Sequence, residues 1–340
     1  MKKNIRNIIL ILTICIILSI YLINTSSVPI FKIFNTESVA SGLIDKALNG
    51  DSSCMHNIAN KILNSIKSNQ YKYDNTAKVQ LCKANILSEN GEDVLVAISL
   101  PPNIGIISIL KPMAGNNEYN IYYTKADFAP IASIKTIDTP ELPHPVIYIK
   151  EALDDKFGAS VKSTIVEIYA WTGDSLEVIW SGTESYTSCW INISERNPSK
   201  YEWRKIDENA IISMNKDHSE IKVLSTQSYS ETDNSCENIP DKNEFETVKA
   251  RQSVSTYYLD SELKKYILGS ASLNGGSDLY DYDGMDFVKK QELPAGAKVK
   301  LLQDLNLLAD NLISNDFNYY KVLTDSGLTG YISKDAVSIK

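Results

Sequence analysis

The side chains best suited to covalent or metal chemistry are few in this chain and lie far apart. Its three histidines are His56, His144 and His218, and its five cysteines form no C-x-x-C pair. The sequence contains neither H-E-x-x-H nor G-x-S-x-G, and it has no glycine-rich phosphate loop. Because zinc sites group their Cys and His ligands closely, we expect the protein to bind no metal and to use no cofactor.

Four cysteines lie beyond the N-terminal apolar segment, namely Cys54, Cys82, Cys189 and Cys236. An even number of cysteines is typical of proteins that form disulfides in an oxidising compartment. Three connectivities are possible, and we expect Cys54–Cys82 and Cys189–Cys236 because each pair is nearest in sequence. Free thiols are the alternative.

Catalytic carboxylates have no required spacing in sequence, so 42 acidic residues neither support nor exclude a glycosidase. A cysteine peptidase would need Cys54 or Cys82 with His144 or His218, and no motif surrounds these residues. The segment Asp281–Asp286 resembles a calcium loop, but Asp286 occupies the position that requires glycine. We therefore interpret that segment as an acidic turn and the protein as non-catalytic; a secreted hydrolase is the alternative.

The N-terminus indicates export. Lys2, Lys3 and Arg6 precede Ile8–Ile23, which is almost entirely isoleucine and leucine. A basic segment followed by such an apolar stretch is typical of a Sec-type signal. We expect residues 1–26 to act as a signal peptide or an uncleaved membrane anchor, and the remainder to lie outside the cytoplasm.

Length and charge narrow the function classes. The chain has 340 residues, which favours about two domains. Its formal net charge is −8, with 34 basic and 42 acidic residues. A general nucleic-acid binder needs a basic surface that displaces counterions from phosphates, so we expect no nucleic-acid partner.

Hydrophobic periodicity divides the exported part into segments. Apolar residues recur at helical spacing within 35–77, interrupted at Gly50. From Lys78 to 243 alternating strands prevail; the clearest hairpin is Thr164–Trp180, with its turn at Thr172–Asp174. The segment 244–269 is amphipathic, and we expect it to be a helical linker.

The segment 270–340 resembles the bacterial SH3 (SH3b) family. The resemblance is carried by Leu293–Leu301, a turn followed by an alternating strand, and by Tyr319–Leu323 with Asp325–Ile332, a strand, a glycine turn and a Gly-aromatic strand. Asp304–Asn318 departs from the family as an insertion rich in leucine and asparagine. The resemblance implies a small β-barrel.

In the SH3b family the implied ligand is cell-wall peptidoglycan or another extracytoplasmic molecule, held by exposed aromatic side chains. The candidates here are Tyr280, Tyr282, Phe287 and Tyr319. Closure of the barrel core is the alternative role for each of them.

The β-rich segment contains four tryptophans, Trp171, Trp180, Trp190 and Trp203. We expect them either to fill the core or to form an aromatic recognition face on a sheet. The hairpin from Trp171 to Trp180 weakly resembles the outer strands of an integrin-like (VCBS) propeller blade. The segment 78–233 would hold only three or four blades of about 40–45 residues, so an open or sandwiched sheet is an equal expectation.

The sequence thus predicts a mainly β protein. An N-terminal signal or anchor helix and a short helical segment precede a central β-rich domain, and an SH3-like small β-barrel follows it. We expect a binding or adaptor protein outside the cytoplasm, held to the membrane by its N-terminus or secreted. Its expected partner is peptidoglycan or an envelope protein.

Overall fold

The structure, a computed structural model, describes residues 38–66, 76–87, 92–156, 160–193, 201–232, 238–282, 286–313 and 317–339. The protein is mainly β, as the sequence predicts: 63% of the described residues lie in strands, and two α-helices are found among them. The predicted leader, residues 1–26, lies outside the described residues, and so does Cys236.

Two helices form where helical spacing predicts them. α1 (Ser41–Leu48) and α2 (Ser52–Ile66) are separated at Gly50, whose φ of +92° is readily adopted only by glycine. The predicted interruption at this glycine is confirmed.

The helices cover one face of a five-stranded antiparallel sheet with the strand order β1-β5-β4-β3-β2. Its strands are β1 (Ser38–Ala40), β2 (Lys78–Ala84), β3 (Asp93–Leu100), β4 (Ile104–Pro112) and β5 (Glu118–Phe128). Ile58 and Ile62 of α2 pack with Val94, Val96 and Ile98 of β3 in one fully buried cluster. Since burial of such side chains is the main favourable term in folding, this cluster holds the helices on the first sheet.

A second antiparallel sheet follows, in which each strand pairs with the next along the chain. Its strands are β6 (Ile131–Ile137), β7 (Val146–Lys156), β8 (Ser160–Trp171), β9 (Leu176–Ile193), β10 (Tyr201–Met214), β11 (Glu220–Thr232), β12 (Glu246–Asp260) and β13 (Lys265–Ile267). This continuous meander is not divided into blades, so the propeller interpretation is wrong.

The two faces of the second sheet have different neighbours. We call outer the face on which Ile147, Ile149 and Tyr169 pack against Leu95 and Ile109 of the first sheet. The opposite, inner face carries a separate buried cluster that includes Val166, Ile168, Trp180, Ile221 and Tyr266. Because strands from both ends of the meander contribute to this cluster, the sheet curves around its inner face.

The predicted helical linker 244–269 is wrong. Most of that segment is β12, which pairs with β11 along its length, and β13. Val254, Thr256, Tyr257 and Tyr258 are β-branched or aromatic residues that favour strands. Pairing with the long neighbouring strand outweighs the amphipathic helical spacing.

The remaining strands form a separate compact unit comprising Gly269–Asn306 and the residues from Phe317 onward. They are β14 (Gly269–Leu273), β15 (Ser277–Tyr282), β16 (Phe287–Leu293), β17 (Lys298–Asp304), β18 (Tyr319–Thr324), β19 (Thr329–Ser333) and β20 (Val337–Ile339), in the order β16-β15-β19-β18-β17-β14-β20. The short segment after Asn306 belongs instead to the unit that contains the two helices and the first two sheets.

Candidate ligand-binding site

All four aromatic residues singled out in the sequence lie together on one face of the C-terminal sheet. Tyr280 and Tyr282 lie on β15, Phe287 begins β16 and Tyr319 begins β18. Phe317 and Tyr331 complete the group. We call these six residues the aromatic cluster.

Phe287 lies at the centre of the aromatic cluster. Its ring stacks on Tyr319 with centroids 4.1 Å apart and an interplanar angle of 22°. Tyr282 lies 4.9 Å away, and the rings of Tyr331, Phe317 and Tyr280 lie at 5.7, 6.0 and 6.4 Å. Most of these contacts are edge-to-face, the arrangement that aromatic quadrupoles favour.

The cluster is a surface feature rather than the core of its unit. All six rings are partly exposed, whereas the buried side chains of the unit are mostly aliphatic and include Leu279, Val299, Leu301, Val322 and Ile332. Alternation along the strands separates the two sets, since Leu279 faces inward and Tyr280 outward. The rings therefore offer an accessible apolar surface.

Strand register brings distant parts of the sequence into the cluster. Tyr282 pairs with Phe287 across the β15–β16 hairpin, and Tyr280 pairs with Tyr331 between β15 and β19. The second pairing needs glycine at position 330, because a Cβ there would lie 2.7 Å from the Leu279 side chain. Gly330 thus permits the close approach of β15 and β19.

Charged residues beside the cluster are paired with each other. Lys289 Nζ lies 2.6 Å from Asp278 Oδ1, and hydrogen bonding to Asp278 raises the pKa of Lys289. Lys290 Nζ lies 3.7 Å from Asp281 Oδ2. Such exposed pairs contribute little stability, and because their charges offset each other, these described residues give the aromatic surface no dominant charge. The surface suits stacking against a flat or apolar ligand face better than attraction of an ion.

Sequence reasoning missed Phe317 and Tyr331. A signal was present for Tyr331, which follows the strand glycine and alternates with the core residue Ile332. Phe317 precedes β18 in a segment without regular spacing, and no sequence pattern marks it.

The cysteines are not joined in the described part of the chain, where Cys54, Cys82 and Cys189 are free thiols. Cys54 lies on α2 and packs against the cluster between the helices and the first sheet, whereas Cys82 packs on the opposite face of that sheet. The sheet therefore separates the two sulfur atoms, and the expected Cys54–Cys82 bond is absent. Burial raises the pKa of Cys82 to about 11. Cys236 lies outside the described residues, and its pairing with Cys189 stays a prediction.

The other candidate groups differ in their surroundings. Trp180 and Trp203 are buried, whereas Trp171 and Trp190 are partly exposed. His144 and His218, distant in sequence, line a common pocket. Within the described residues no cluster of His, Cys, Asp and Glu is suited to a metal ion, and residues 283–285 of the acidic turn lie outside them.

One pair of carboxyl groups in the second sheet has unusual surroundings. Glu151 is 8% exposed, and its Oε2 accepts a hydrogen bond from the Ala129 N–H at 2.6 Å. Burial, and then the neighbouring Glu167 carboxylate, raise the pKa of Glu151 to about 8. Glu167 in turn accepts a short hydrogen bond from the Tyr169 hydroxyl. Burial and the second carboxylate thus both favour the protonated form of Glu151.

Neither described helix is long and apolar enough to span a bilayer. Comparison with known proteins gives no match: no protein-family model, no curated protein and no solved structure is significantly similar to this chain.

Proposed function

We propose that the protein is a non-catalytic binding or adaptor protein of the bacterial envelope. In this proposal residues 270–340 form an SH3-like module that presents the aromatic cluster to cell-wall peptidoglycan or to an envelope protein. The observation that carries the proposal is the cluster itself, six partly exposed rings gathered around Phe287 while aliphatic side chains fill the core.

The chemistry of the cluster favours binding by stacking. Flat apolar faces, such as those of sugar rings, gain contact area and dispersion energy against aromatic rings. The hydroxyl groups of Tyr280, Tyr282, Tyr319 and Tyr331 provide hydrogen-bonding groups around Phe287. None of these side chains is a strong acid, base or nucleophile at neutral pH.

The N-terminal segment supports a location outside the cytoplasm. Its basic start and Ile8–Ile23 support export or membrane anchoring, which would place the aromatic cluster outside the cytoplasm. The proposed partners are therefore molecules of the envelope, with the membrane contacted through the N-terminal segment.

A pull-down of the full chain on insoluble peptidoglycan tests the proposal. We expect the double variant Tyr280→Ala/Tyr319→Ala to lose most of its retention, because it removes two of the outer rings around Phe287. The matched control is Tyr122→Ala/Tyr258→Ala, which removes two tyrosines that are 43% and 51% exposed outside the C-terminal unit. Equal retention of both variants, or no retention of the unaltered chain, would contradict a peptidoglycan ligand.

A secreted cell-wall hydrolase is the second candidate, and the Glu151–Glu167 pair favours it. Like the acid catalyst of a glycosidase, Glu151 is a carboxyl group with a raised pKa beside a second carboxyl group. The side chains of Glu151 and Glu167 are hydrogen bonded to each other, however, and are therefore closer than the roughly 5–9.5 Å that separates the two carboxyl groups of glycosidases. Release of soluble fragments from peptidoglycan by the unaltered chain, abolished in Glu151→Gln, is the result expected of a hydrolase. The near-complete burial of Glu151 limits its access to a substrate and weighs against this second candidate.

A further inference from the structure

The segment that interrupts the C-terminal unit lies on the inner face of the second sheet. We call Leu307–Ile313 the strap. It belongs by its contacts to the same compact unit as β9–β12. A short 3-10 helix, Ala309–Leu312, forms its middle.

A row of polar side chains crosses the sheet beneath the strap. Tyr186 on β9 pairs with Glu208 on β10, Glu208 pairs with Gln227 on β11, and Gln227 pairs with Arg251 on β12. Directly paired residues of an antiparallel sheet point to the same side. Four adjacent strands thus contribute one side chain each to a continuous polar row.

Three polar contacts to the strap reach its main chain. Gln227 Nε2 donates to the carbonyl oxygen of Leu307 at 2.8 Å, and Arg251 Nη2 donates to that of Leu308 at 2.7 Å. Lys249 Nζ donates to the carbonyl oxygen of Ile313 at 2.9 Å. Since every residue has a main-chain carbonyl, these contacts recognise a peptide backbone rather than one sequence.

Two further contacts involve side chains of the strap. The Tyr186 hydroxyl donates to Asp310 Oδ1 at 2.9 Å. Ala309 and Leu312 pack in a cluster with Ile206, Tyr229, Tyr186 and Trp190 of the sheet. Specificity therefore comes from one acidic side chain and from a leucine two residues after it.

The polar row is held in place by its own hydrogen bonds. Gln227 is only 3% exposed; its Nε2 also donates to Glu208 Oε1 at 2.8 Å, and its Oε1 accepts from Arg251 Nε. Ser225 donates to Glu208 as well. These bonds do not involve the strap, so the donors stay oriented when it leaves, and such preorganisation lowers the cost of binding.

We propose that the inner face of β9–β12 is a peptide-binding surface and that the strap occupies it as a releasable intramolecular ligand. The ligand class is a short peptide of the strap's own chemistry, with an alanine, an aspartate next to it and a leucine two residues further on. Such a peptide is recognised through its carbonyl oxygens by Gln227, Arg251 and Lys249. An intramolecular segment competes at high effective concentration, so the surface takes another peptide only when the strap is displaced.

A synthetic peptide of the sequence 305–314, labelled with fluorescein, tests the proposal by fluorescence anisotropy. The receptor is the full chain in which Leu307–Ile313 is replaced by seven glycine and serine residues. We expect this variant to bind the peptide at least about tenfold more tightly than the unaltered chain, whose strap competes. Arg251→Ala in the same background removes a charged donor and weakens binding by about tenfold or more.

A peptide carrying Leu312→Asp is the matched control, and we expect it to lose binding because its leucine no longer fills the apolar cluster. Circular dichroism checks that the altered chain is folded; if it is not, Leu312→Asp in the full chain replaces it as the receptor. The proposal is overturned if the folded receptor does not bind the peptide, or if the unaltered chain binds it equally well. Equal binding of the control peptide would overturn it too.

Discussion

The inner face of the second sheet and the face of the C-terminal sheet that carries the aromatic cluster both display aromatic side chains. Within the described part of the chain, only the inner face of the second sheet is covered. On the inner face, Tyr229 and Trp190 stack beneath the strap, and Tyr229 is 7% exposed. On the C-terminal sheet, Phe287 and its five neighbours remain partly exposed. A covered ring contributes to folding, whereas an open ring keeps much of its contact area for a ligand.

The largest expected change in the free energy of unfolding distinguishes a covered ring from an open one. Tyr229→Ala leaves a cavity under the strap and should lower the free energy of unfolding by about 3 kcal/mol or more. Phe287→Ala should lower it by only about 1 kcal/mol, because its ring is partly solvated and loses mainly stacking. Urea unfolding of both variants measures the difference, and equal losses would contradict the distinction between covered and open rings.

A somewhat smaller effect is expected from the glycine that assembles the open cluster. Gly330→Val places side-chain atoms against Leu279 and should destabilise the C-terminal unit by about 1–3 kcal/mol. The near-ultraviolet circular dichroism of the tyrosines should weaken because β15 and β19 move apart. Gly275→Ala is the control, since a Cβ there meets no atom within 4 Å. If the two variants were equally stable, the close approach would not matter.

The free energy of unfolding should also depend on pH, because the Glu151 carboxyl is buried. Glu151 has a pKa of about 8 when folded and about 4.3 when unfolded, so the folded state binds the extra proton between these values. The contribution of protonated Glu151 to the free energy of unfolding is complete below about pH 4. It falls as the pH rises and is lost above about pH 8. We expect a slope on the order of 1 kcal/mol per pH unit.

Urea unfolding at pH 5, 7 and 9 measures that slope. Glu151→Gln should flatten it and raise stability at pH 9, because the buried charge is removed. Glu177→Gln changes an exposed carboxylate of the same sheet and should leave the slope unchanged. A slope that survives Glu151→Gln would place the responsible group elsewhere.

The smallest effect is expected from a substitution on the exposed part of the outer face of the second sheet. Ile211 is 67% exposed and pairs with Leu224, which in turn pairs with Val254. Ile211→Ser should change the free energy of unfolding by no more than about 0.5 kcal/mol. Ile221→Ala on the inner face should cost about 2–5 kcal/mol. A large loss for Ile211→Ser would reveal a partner for this surface.

Local patterns predicted much of the fold. The strands that the structure shows between Lys78 and residue 243 follow from alternation bounded by turns, and the hairpin turn at Gly173 follows from its glycine. The segment 244–269 was misassigned because its apolar residues suit both helical and strand spacing. Only pairing with β11 decides between the two.

The candidate site was predicted in part for a similar reason. Tyr280, Tyr282, Phe287 and Tyr319 could be identified by residue type and by the resemblance of their segment, but Phe317 joins them only through tertiary contacts. The strap was visible as an insertion rich in leucine and asparagine. The sequence did not predict its position, because its carbonyl oxygens accept hydrogen bonds from side chains as many as 80 residues away, such as Gln227.

The nearest-neighbour order of β6–β13 has a consequence for how the chain reaches its final form. Each strand after β6 pairs with the strand that precedes it in sequence, so the meander can assemble hairpin by hairpin as the chain is synthesised, with little loop-closure entropy. The strap emerges later than all eight strands. The inner face that it covers is therefore open until the strap has been synthesised, and in that interval other peptides meet no intramolecular competitor.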